Sequence, residues 1–282
     1  MTSVTKLIAF FLLSASLFVY NPVDATQVGT QAMSVRDQSS MSDLQVNEQY
    51  QSALDGYNDL LEGNVDKDGW INYSGIQEEQ DKLRDYISSL ANIDMSALDR
   101  DHQLATYINA YNAFTLMLIL EYWDNGKLQS IFDIPENRRW DDVRWQVGAN
   151  TYSLNQIEHT LIRPVFNEPR IHFALVCAAY SCPPLRNEVY DSTMIEDQLN
   201  SQAQYVHDHK RWYQYDANQK KVMLTKLYEW YATDFEINVQ GILYFIAQYR
   251  PEIATLLNNG EEPEIQWIPY DWRLNDIQNK PQ

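Results

Sequence analysis

Residues 101–123, DHQLATYINAYNAFTLMLILEYW, predict a long helix at the centre of the domain. Leu104 and Ile108 lie on one stripe at helical spacing, and Phe114 lies on another side of the same helix. A helix that is apolar on nearly every side is buried at the centre of its domain. The Asn-Gly pair at 125–126 is a typical stop signal, so the helix should end just before it.

Two asparagines interrupt the apolar surface of this helix. Asn109 and Asn112 are three residues apart and therefore lie on one face. Buried side-chain amides need hydrogen-bond partners. The pair therefore either braces the core or orients a site, and the spacing alone leaves both interpretations open.

Outward from this helix, the pattern predicts short elements on both sides. Helical spacing recurs at 43–61, 77–90, 154–163, 191–209, 225–231 and 238–249. Alternation predicts hairpins at 143–153 and 212–224, and a late strand at 265–270. Residues 171–177 are apolar on both faces, which is typical of a buried strand. The sequence thus predicts an α+β fold: a single mostly helical domain with small antiparallel β hairpins and a buried central helix and strand.

The first 25 residues have the pattern of a secretory signal peptide. One lysine precedes an apolar, uncharged run at 7–20, and Val23-Asp-Ala25 offers small residues before a cut. The run is short for a membrane span, so a retained anchor is the weaker alternative. Residues 26–42 should be a flexible lead-in and 43–282 the single domain. We expect a secreted or periplasmic protein with no stable membrane insertion after signal removal.

The charge balance restricts the partners. The formal net charge is −18, and Lys and Arg are outnumbered by Asp and Glu, 21 against 39. Such a surface does not suit DNA, RNA or an anionic membrane, where basic side chains must neutralise phosphates. We therefore expect no nucleic-acid partner, and a small molecule or a protein remains as the unidentified partner.

Residues 64–75 resemble a calcium-binding loop. Oxygen-bearing side chains occupy its first, third, fifth and ninth positions, and glycine its sixth. The twelfth position, where a bidentate glutamate belongs, is Gly75. The favoured interpretation is a tight turn at Asp68-Gly69 that leads into a short strand at 70–73. We expect no tight calcium binding here.

The most promising reactive centre is residues 170–186, RIHFALVCAAYSCPPLR, which contain both cysteines. Two alanines with free N–H groups follow Cys177, whereas a proline without an N–H follows Cys182. Only Cys177 can therefore use a following N–H to bind an oxyanion. The alternatives are inert thiols or a disulfide, a nucleophilic Cys177, and a redox-active pair. The cysteines and His172 lack zinc-finger spacing, so we expect no metal and no cofactor.

A helix with histidine and glutamate precedes this stretch. Ser153 and Gln156 form a capping box that starts it, and Pro164 should stop it. Glu158 and His159 are sequence neighbours, about 100° apart on an α-helix, so they are not a ready-made pair. From this helix alone, the favoured interpretation is a partly buried Glu-His pair whose hydrogen bonds serve the structure, and a catalytic pair is the alternative.

The base that a nucleophilic Cys177 requires would be a histidine. His172 and Cys177 are five residues apart, and neither a strand nor a helix makes that spacing a direct pair. His159 is therefore the leading candidate and His172 the second.

Seven segments together resemble the domain of unknown function 547 family. They follow the family order from about residue 69 to residue 276. They are TYINAYNAFT (106–115), SIFDI (130–134), YSLNQIEHTLIRP (152–164), RIHFALVCAAYSCPPLR (170–186), QLNSQ (198–202), WYATDF (230–235) and YDWRLND (270–276).

The resemblance has implications for the thiols but assigns no reaction. Some relatives resemble fusions to glutaredoxin or to signalling domains, which favours thiol chemistry. In plant-like relatives serine stands at the position of Cys182, while that of Cys177 stays cysteine. The family also shares polar residues at Asn109, Glu158, His159 and His172, with no role given to them.

The leading hypothesis is a cysteine-dependent hydrolase or acyl transferase. Cys177 would be the nucleophile and His159 or His172 the base, with Asn109 or Glu158 as the orienting group. The alternatives are a non-enzymatic binding or interaction module, which the aromatic content suits, and a thiol redox protein.

Overall fold

The central helix predicted from residues 101–123 is α4, Arg100–Tyr122. Asp99 caps its first turn through its side chain. Every residue from 108 to 120 is buried, so this helix is enclosed as predicted.

The structure is a computed structural model that describes residues 48–239 and 241–281, except for the side chains at 236–239. The expected signal peptide (1–25), the lead-in (26–42) and the start of the first predicted helix lie outside the described residues. The described residues belong to one compact unit. No helix in this part of the chain is both long and apolar enough to cross a bilayer.

Shorter helices surround α4. They are α1 (48–64), α2 (Tyr73–Glu78), α3 (Gln80–Leu90), α5 (Leu154–Gln156), α6 (Arg163–Phe166), α7 (Ile195–Asp208), α8 (Leu227–Trp230), α9 (Ala232–Val239), α10 (Ile242–Ala247) and α11 (Pro251–Asn258). Single 3₁₀ turns occupy Met95–Ala97, Ile131–Asp133, Glu136–Arg138, Pro169–Phe173 and Ile277–Asn279. The α+β class is confirmed, although the helices predicted near the C-terminus are shorter and more numerous than expected.

The strands form two small sheets. β1 (Trp145–Val147) and β2 (Asn150–Tyr152) make the first predicted hairpin, with Trp145 opposite Tyr152. β3 (Tyr213–Asp216) and β4 (Lys221–Leu224) make the second. The late strand is β5 (Glu264–Trp267), and it pairs with β4 in parallel. The prediction that the strands pair only in antiparallel fashion was therefore wrong for β4 and β5.

The predicted buried strand at 171–177 was wrong. The segment begins as the 3₁₀ turn Pro169–Phe173 and continues as irregular chain. Its backbone pairs with a side chain of α4: the Asn112 amide donates to the Ala174 carbonyl and accepts from the Val176 N–H, both at 3.0 Å. The run is apolar on both faces because it is enclosed on all sides, not because it lies in a sheet.

The predicted helix at 154–163 is interrupted. The Ser153–Gln156 capping box is present, but Ile157–Ile162 form a π-helical segment, and Pro164 lies in the first turn of α6. A proline inside an α-helix clashes with the carbonyl four residues back. The wider turn, closed from the Arg163 N–H to the Glu158 carbonyl, removes that conflict, so Pro164 continues the helical path instead of stopping it.

Residues 64–75, which resemble a calcium-binding loop, fold as the predicted tight turn at Asp68-Gly69. The Asp66 side chain accepts from the N–H groups of Asp68 and Trp70, and the ammonium of Lys280 lies 2.6 Å from Asp66 and 3.0 Å from Asp68. The expected strand at 70–73 is reduced to single bridges at Ile71. These carboxylates therefore serve the turn and a salt bridge.

Candidate functional site

A cavity of about 220 Å³ lies at the meeting of the two hydrophobic cores of the domain. Its lining is aromatic, with a few ionisable groups and both cysteines. The lining residues are Tyr111, Trp140, Asn155, Glu158, His159, His172, Leu175, Cys177, Cys182, Leu227, Trp230, Tyr231, Tyr270 and Trp272. Four of the five predicted site residues therefore face one cavity: Glu158, His159, His172 and Cys177.

Asn109 lies elsewhere. Its amide donates to the Tyr190 carbonyl at 2.7 Å and accepts from the Tyr190 N–H at 2.8 Å, away from the cavity lining. The Asn112 amide holds the segment just before Cys177. Asn109 and Asn112 both brace the core through hydrogen bonds to the backbone of other segments. The hydrogen bonds of Asn112 also position the chain just before Cys177.

The turn after Cys177 is held by the end of the chain. Ala178 has a φ of +62°, in the left-handed region that costs free energy for any residue with a Cβ. Its carbonyl accepts from the Asn275 N–H at 3.0 Å, and the Ser181 hydroxyl accepts from the Asp271 N–H at 2.8 Å. The segment 270–276 thereby fixes the turn that presents Cys177, and it brings Tyr270 against the sulfur.

The two thiols are in different electrostatic states. Cys177 is half-buried and Cys182 buried, and both are free thiols in the structure. The Cys177 Sγ lies 3.2 Å from the Tyr270 hydroxyl. Hydrogen bonds from Cys182, Tyr270 and the Ala179 N–H lower the pKa of Cys177 against the effect of burial. Burial and the neighbouring Cys177 raise the pKa of Cys182 well above its ordinary value.

His172 is held by a carboxylate on α9. Its Nε2 lies 2.8 Å from Asp234 Oδ2, and its ring stacks on Tyr231 with 3.8 Å between centroids. Arg163 donates to both Asp234 oxygens, at 2.7 and 2.8 Å. Burial lowers the pKa of His172, although Asp234 opposes the shift. The ring is therefore neutral near pH 7 and fixed in position.

Glu158 and His159 are neighbours on the π-helical segment Ile157–Ile162. His159 Nδ1 lies 3.8 Å from the Glu158 carboxylate, which is beyond hydrogen-bond distance. Arg163 lies 3.1 Å from the same His159 nitrogen, and Tyr111 donates to Glu158 at 3.4 Å.

Neither histidine forms a hydrogen bond with a cysteine sulfur among the described contacts, as the five-residue spacing of His172 and Cys177 predicted. The residues that the sequence reasoning missed are Tyr111, Tyr231, Asp234 and Tyr270. Three of these four lie in the segments WYATDF and YDWRLND, so the motifs contained the signal but not the pairing. Among the described residues, no three His, Cys, Asp or Glu side chains are grouped as a metal site.

Comparison with protein families gives one match. Residues 95–205 match the model described as "Protein of unknown function, DUF547". This stretch contains α4, the π-helical segment, both cysteines and most of α7, whereas WYATDF and YDWRLND lie beyond it. The curated proteins and the solved structures yield no match. Residues 95–205 are therefore similar to the DUF547 family, which supports the resemblance seen in the motifs over that stretch.

Proposed function

We propose that this protein is a cysteine-dependent acyl transferase or hydrolase with Cys177 as its nucleophile. The observation that carries the proposal is the Cys177 sulfur at the cavity, 3.2 Å from the Tyr270 hydroxyl. Hydrogen bonding by Cys182, Tyr270 and the Ala179 N–H lowers the pKa of this thiol. A thiolate, not a thiol, is the reactive form of cysteine. These donors favour the thiolate without a histidine beside it.

His172 is the better of the two candidate bases. Because its Nε2–H donates to Asp234, the unprotonated nitrogen is Nδ1, which can accept a proton. At His159 the guanidinium of Arg163 donates to Nδ1, so that nitrogen's lone pair is already engaged. A carboxylate that orients a neutral imidazole is the arrangement used by known cysteine and serine triads.

The chemistry follows from these positions. The Cys177 thiolate attacks an acyl carbon, so that a carbon–sulfur bond forms and the bond to the leaving group breaks. The leaving group takes a proton from solvent water, which leaves hydroxide. Water or an acceptor alcohol or amine then attacks the thioester while His172 Nδ1 takes its proton. The carbon–sulfur bond breaks and the thiolate returns, and the His172 imidazolium gives its proton to the hydroxide from the first half. His172 would thus act in the second half of the reaction, which explains the absence of a direct contact with sulfur.

An acyl-enzyme experiment tests the proposal. Incubation with p-nitrophenyl acetate should release p-nitrophenol in a burst and leave one acetyl group on Cys177, detected by mass spectrometry of the intact protein and its peptides. Cys177→Ala should abolish both signals, and Cys182→Ala should retain acylation at a lower rate. Acetylation of lysines only, or an equal burst from Cys177→Ala, would reject the nucleophile and leave a binding module as the better interpretation.

A thiol redox function is the second candidate. Its support is the asymmetry of the pair: Cys177 has a lowered pKa and partial exposure, and Cys182 has a raised pKa and is buried. A nucleophilic and a resolving thiol differ in this way. Oxidation by glutathione disulfide to a Cys177–Cys182 disulfide, with two glutathione molecules released, would favour this candidate. A stable mixed disulfide at Cys177 that Cys182 never resolves would oppose it.

Export is proposed separately, on the charge and hydropathy pattern of the first 25 residues. Mature protein from the periplasm or the medium should begin near Thr26 by N-terminal sequencing. Recovery from the cytosol with Met1 intact would reject a secreted or periplasmic location.

A further inference from the structure

The charges around the cavity are unbalanced. Among its lining residues Glu158 is the one carboxylate, and neither lysine nor arginine lines it. Glu158 is buried, its side chain only 9% exposed, and no lysine or arginine of the described chain lies within salt-bridge distance of it. Arg163, the nearest guanidinium named above, is occupied by Asp234 and His159. The partners of Glu158 are the Tyr111 hydroxyl at 3.4 Å and the His159 ring at 3.8 Å, so no fixed positive charge compensates this buried carboxylate, and a ligand cation would do so.

The walls of the cavity suit a cation as well. Trp140, Trp230, Trp272 and Tyr270 lie within one continuous aromatic cluster, with centroid separations from 4.5 to 6.3 Å. Elsewhere the described chain covers its aromatic faces with arginine, for example Arg211 over Trp70, Tyr180 and Trp212. No arginine or lysine of the described residues lies over these four rings. No cation of the described residues therefore occupies this cluster, although its rings also pack on one another, and all four rings line the cavity where a ligand cation would contact them.

Size limits the group that fits. An apolar cavity of about 150 Å³ holds benzene, and drug-sized ligands occupy about 300–1,000 Å³. A cavity of about 220 Å³ therefore takes a head group slightly larger than benzene. Trp230 lines the cavity and is 46% exposed, so a longer molecule could extend past this ring to the surface. The net charge of −18 would also attract cations from solution.

We infer that the cavity binds an organic ammonium group of about the size of choline, between the tryptophan rings and the Glu158 carboxylate. The inference rests on the proposed function, because this ammonium would be the head of the acyl substrate or of its acceptor. Glu158 thereby has a binding role, distinct from the reacting thiolate of Cys177.

A matched pair of probes tests the inference. Choline and 3,3-dimethylbutan-1-ol have the same shape, but carbon replaces the quaternary nitrogen in the alcohol. Titration followed by tryptophan fluorescence and calorimetry at low salt should show choline bound about tenfold or more tightly than the alcohol. Glu158→Gln should remove most of that preference. Glu262→Gln, at an exposed residue outside the cavity lining, should preserve it.

Each other outcome decides against the inference. Equal binding of the two probes, binding of neither, or a choline preference that survives in Glu158→Gln would overturn it. If Glu158→Gln does not fold, Trp230→Ala is the second test, because removal of a half-exposed ring should leave the core intact. The affinity for choline should then fall several-fold, and the affinity for the alcohol should fall less. An equal loss for both probes would overturn the inference.

The two proposals can fail separately. Acetylation of Cys177 in the same preparations reports on the nucleophile, whereas the titration reports on the cation site and needs no covalent step. Acetylation without a choline preference would reject the cation site alone. A choline preference without acetylation would reject the nucleophile and leave a cation-binding module.

Discussion

Two buried histidines, His172 and His207, occupy opposite kinds of surroundings in the same domain. His207 lies in the second hydrophobic core, with Nδ1 2.6 Å from the Ala203 carbonyl and Nε2 2.6 Å from the Tyr228 hydroxyl. Its ring stacks on Tyr249 at an angle of 4°. His172 is equally buried and equally stacked, but it lines the cavity, and its named partner is an ionised carboxylate.

The free nitrogen of a buried histidine and its access to the cavity decide whether the ring is available for chemistry. Both nitrogens of His207 are used by neutral groups in a closed core, so the ring can only stabilise the fold. His172 has one nitrogen fixed by the Asp234–Arg163 pair and lies beside the space where a substrate would enter. Burial lowers the pKa of both rings, so a lowered pKa by itself does not separate structure from function.

The largest expected effect comes from the carboxylate beside His172. Asp234→Asn removes the negative charge that orients and stabilises the ring, and deacetylation of Cys177 should slow about a thousandfold. Stopped-flow decay of the acetyl-enzyme measures this rate. Asp208→Asn is the matched control, because Asp208 pairs with Arg250 beside His207, and deacetylation should stay unchanged. Equal slowing in both variants would remove the distinction between the two histidines.

The next effect is on stability and belongs to His207. Burial lowers its pKa from 6.5 to about 4, so the unfolded chain binds the proton more readily. The stability gained from the neutral ring is fully present above pH 6.5 and is lost as the pH falls towards 4. The loss should be about 3 kcal/mol, measured by urea unfolding across this range. His207→Phe should flatten the slope, apart from the part due to His172, whose pKa shifts in the same direction.

A smaller effect is expected from the tyrosine beside the thiol. Tyr270→Phe removes a donor to the Cys177 sulfur, so the pKa of Cys177 should rise and its alkylation by limiting iodoacetamide at neutral pH should slow about five- to tenfold. His172→Ala and His159→Ala should change this rate less, because neither ring bonds the sulfur. Tyr228→Phe, the matching change beside His207, should leave alkylation unaffected. If alkylation were slower in His172→Ala or His159→Ala than in Tyr270→Phe, that histidine and not Tyr270 would be the group that activates the Cys177 thiol.

The smallest effect concerns the turn after Cys177. Ala178→Gly relieves a left-handed Cβ but adds freedom to the unfolded chain, so the free energy of unfolding should rise by less than about 1 kcal/mol. Thermal unfolding of the reduced protein measures it. A clear destabilisation would mean that the Ala178 side chain contributes packing that outweighs the backbone strain.

The sequence predicted the central helix α4 more completely than it predicted the candidate site. The apolar surface of α4 predicted a central helix, and the capping box at Ser153 predicted a helix start, because both depend on neighbouring residues. The segment 171–177 was misread as a strand, since enclosure by distant elements and enclosure in a sheet give the same apolar run. Its hydrogen bonds go to Asn112, which no local pattern reveals.

The site shows the same limit. Cys177, Glu158, His159 and His172 were proposed as candidates from residue type and local spacing, and all four line one cavity. Tyr270 reaches the thiol from 93 residues away, and Asp234 reaches His172 from 62 residues away. Contacts of this length depend on the whole fold. The π-helical segment was also invisible, because Pro164 normally indicates a stop and not a wider turn.

The most direct test of the central claim is the pH dependence of Cys177 alkylation in the folded, reduced protein. Peptide mass spectrometry with limiting iodoacetamide should give a single midpoint for Cys177 below the free-thiol pKa of about 8.5. Cys182 should stay unlabelled over the same range, since burial raises its pKa. Cys182→Ala should move the Cys177 midpoint upward. A Cys177 midpoint at or above about 8.5, or labelling of both thiols only on unfolding, would contradict the claim that the cavity holds a reactive thiolate.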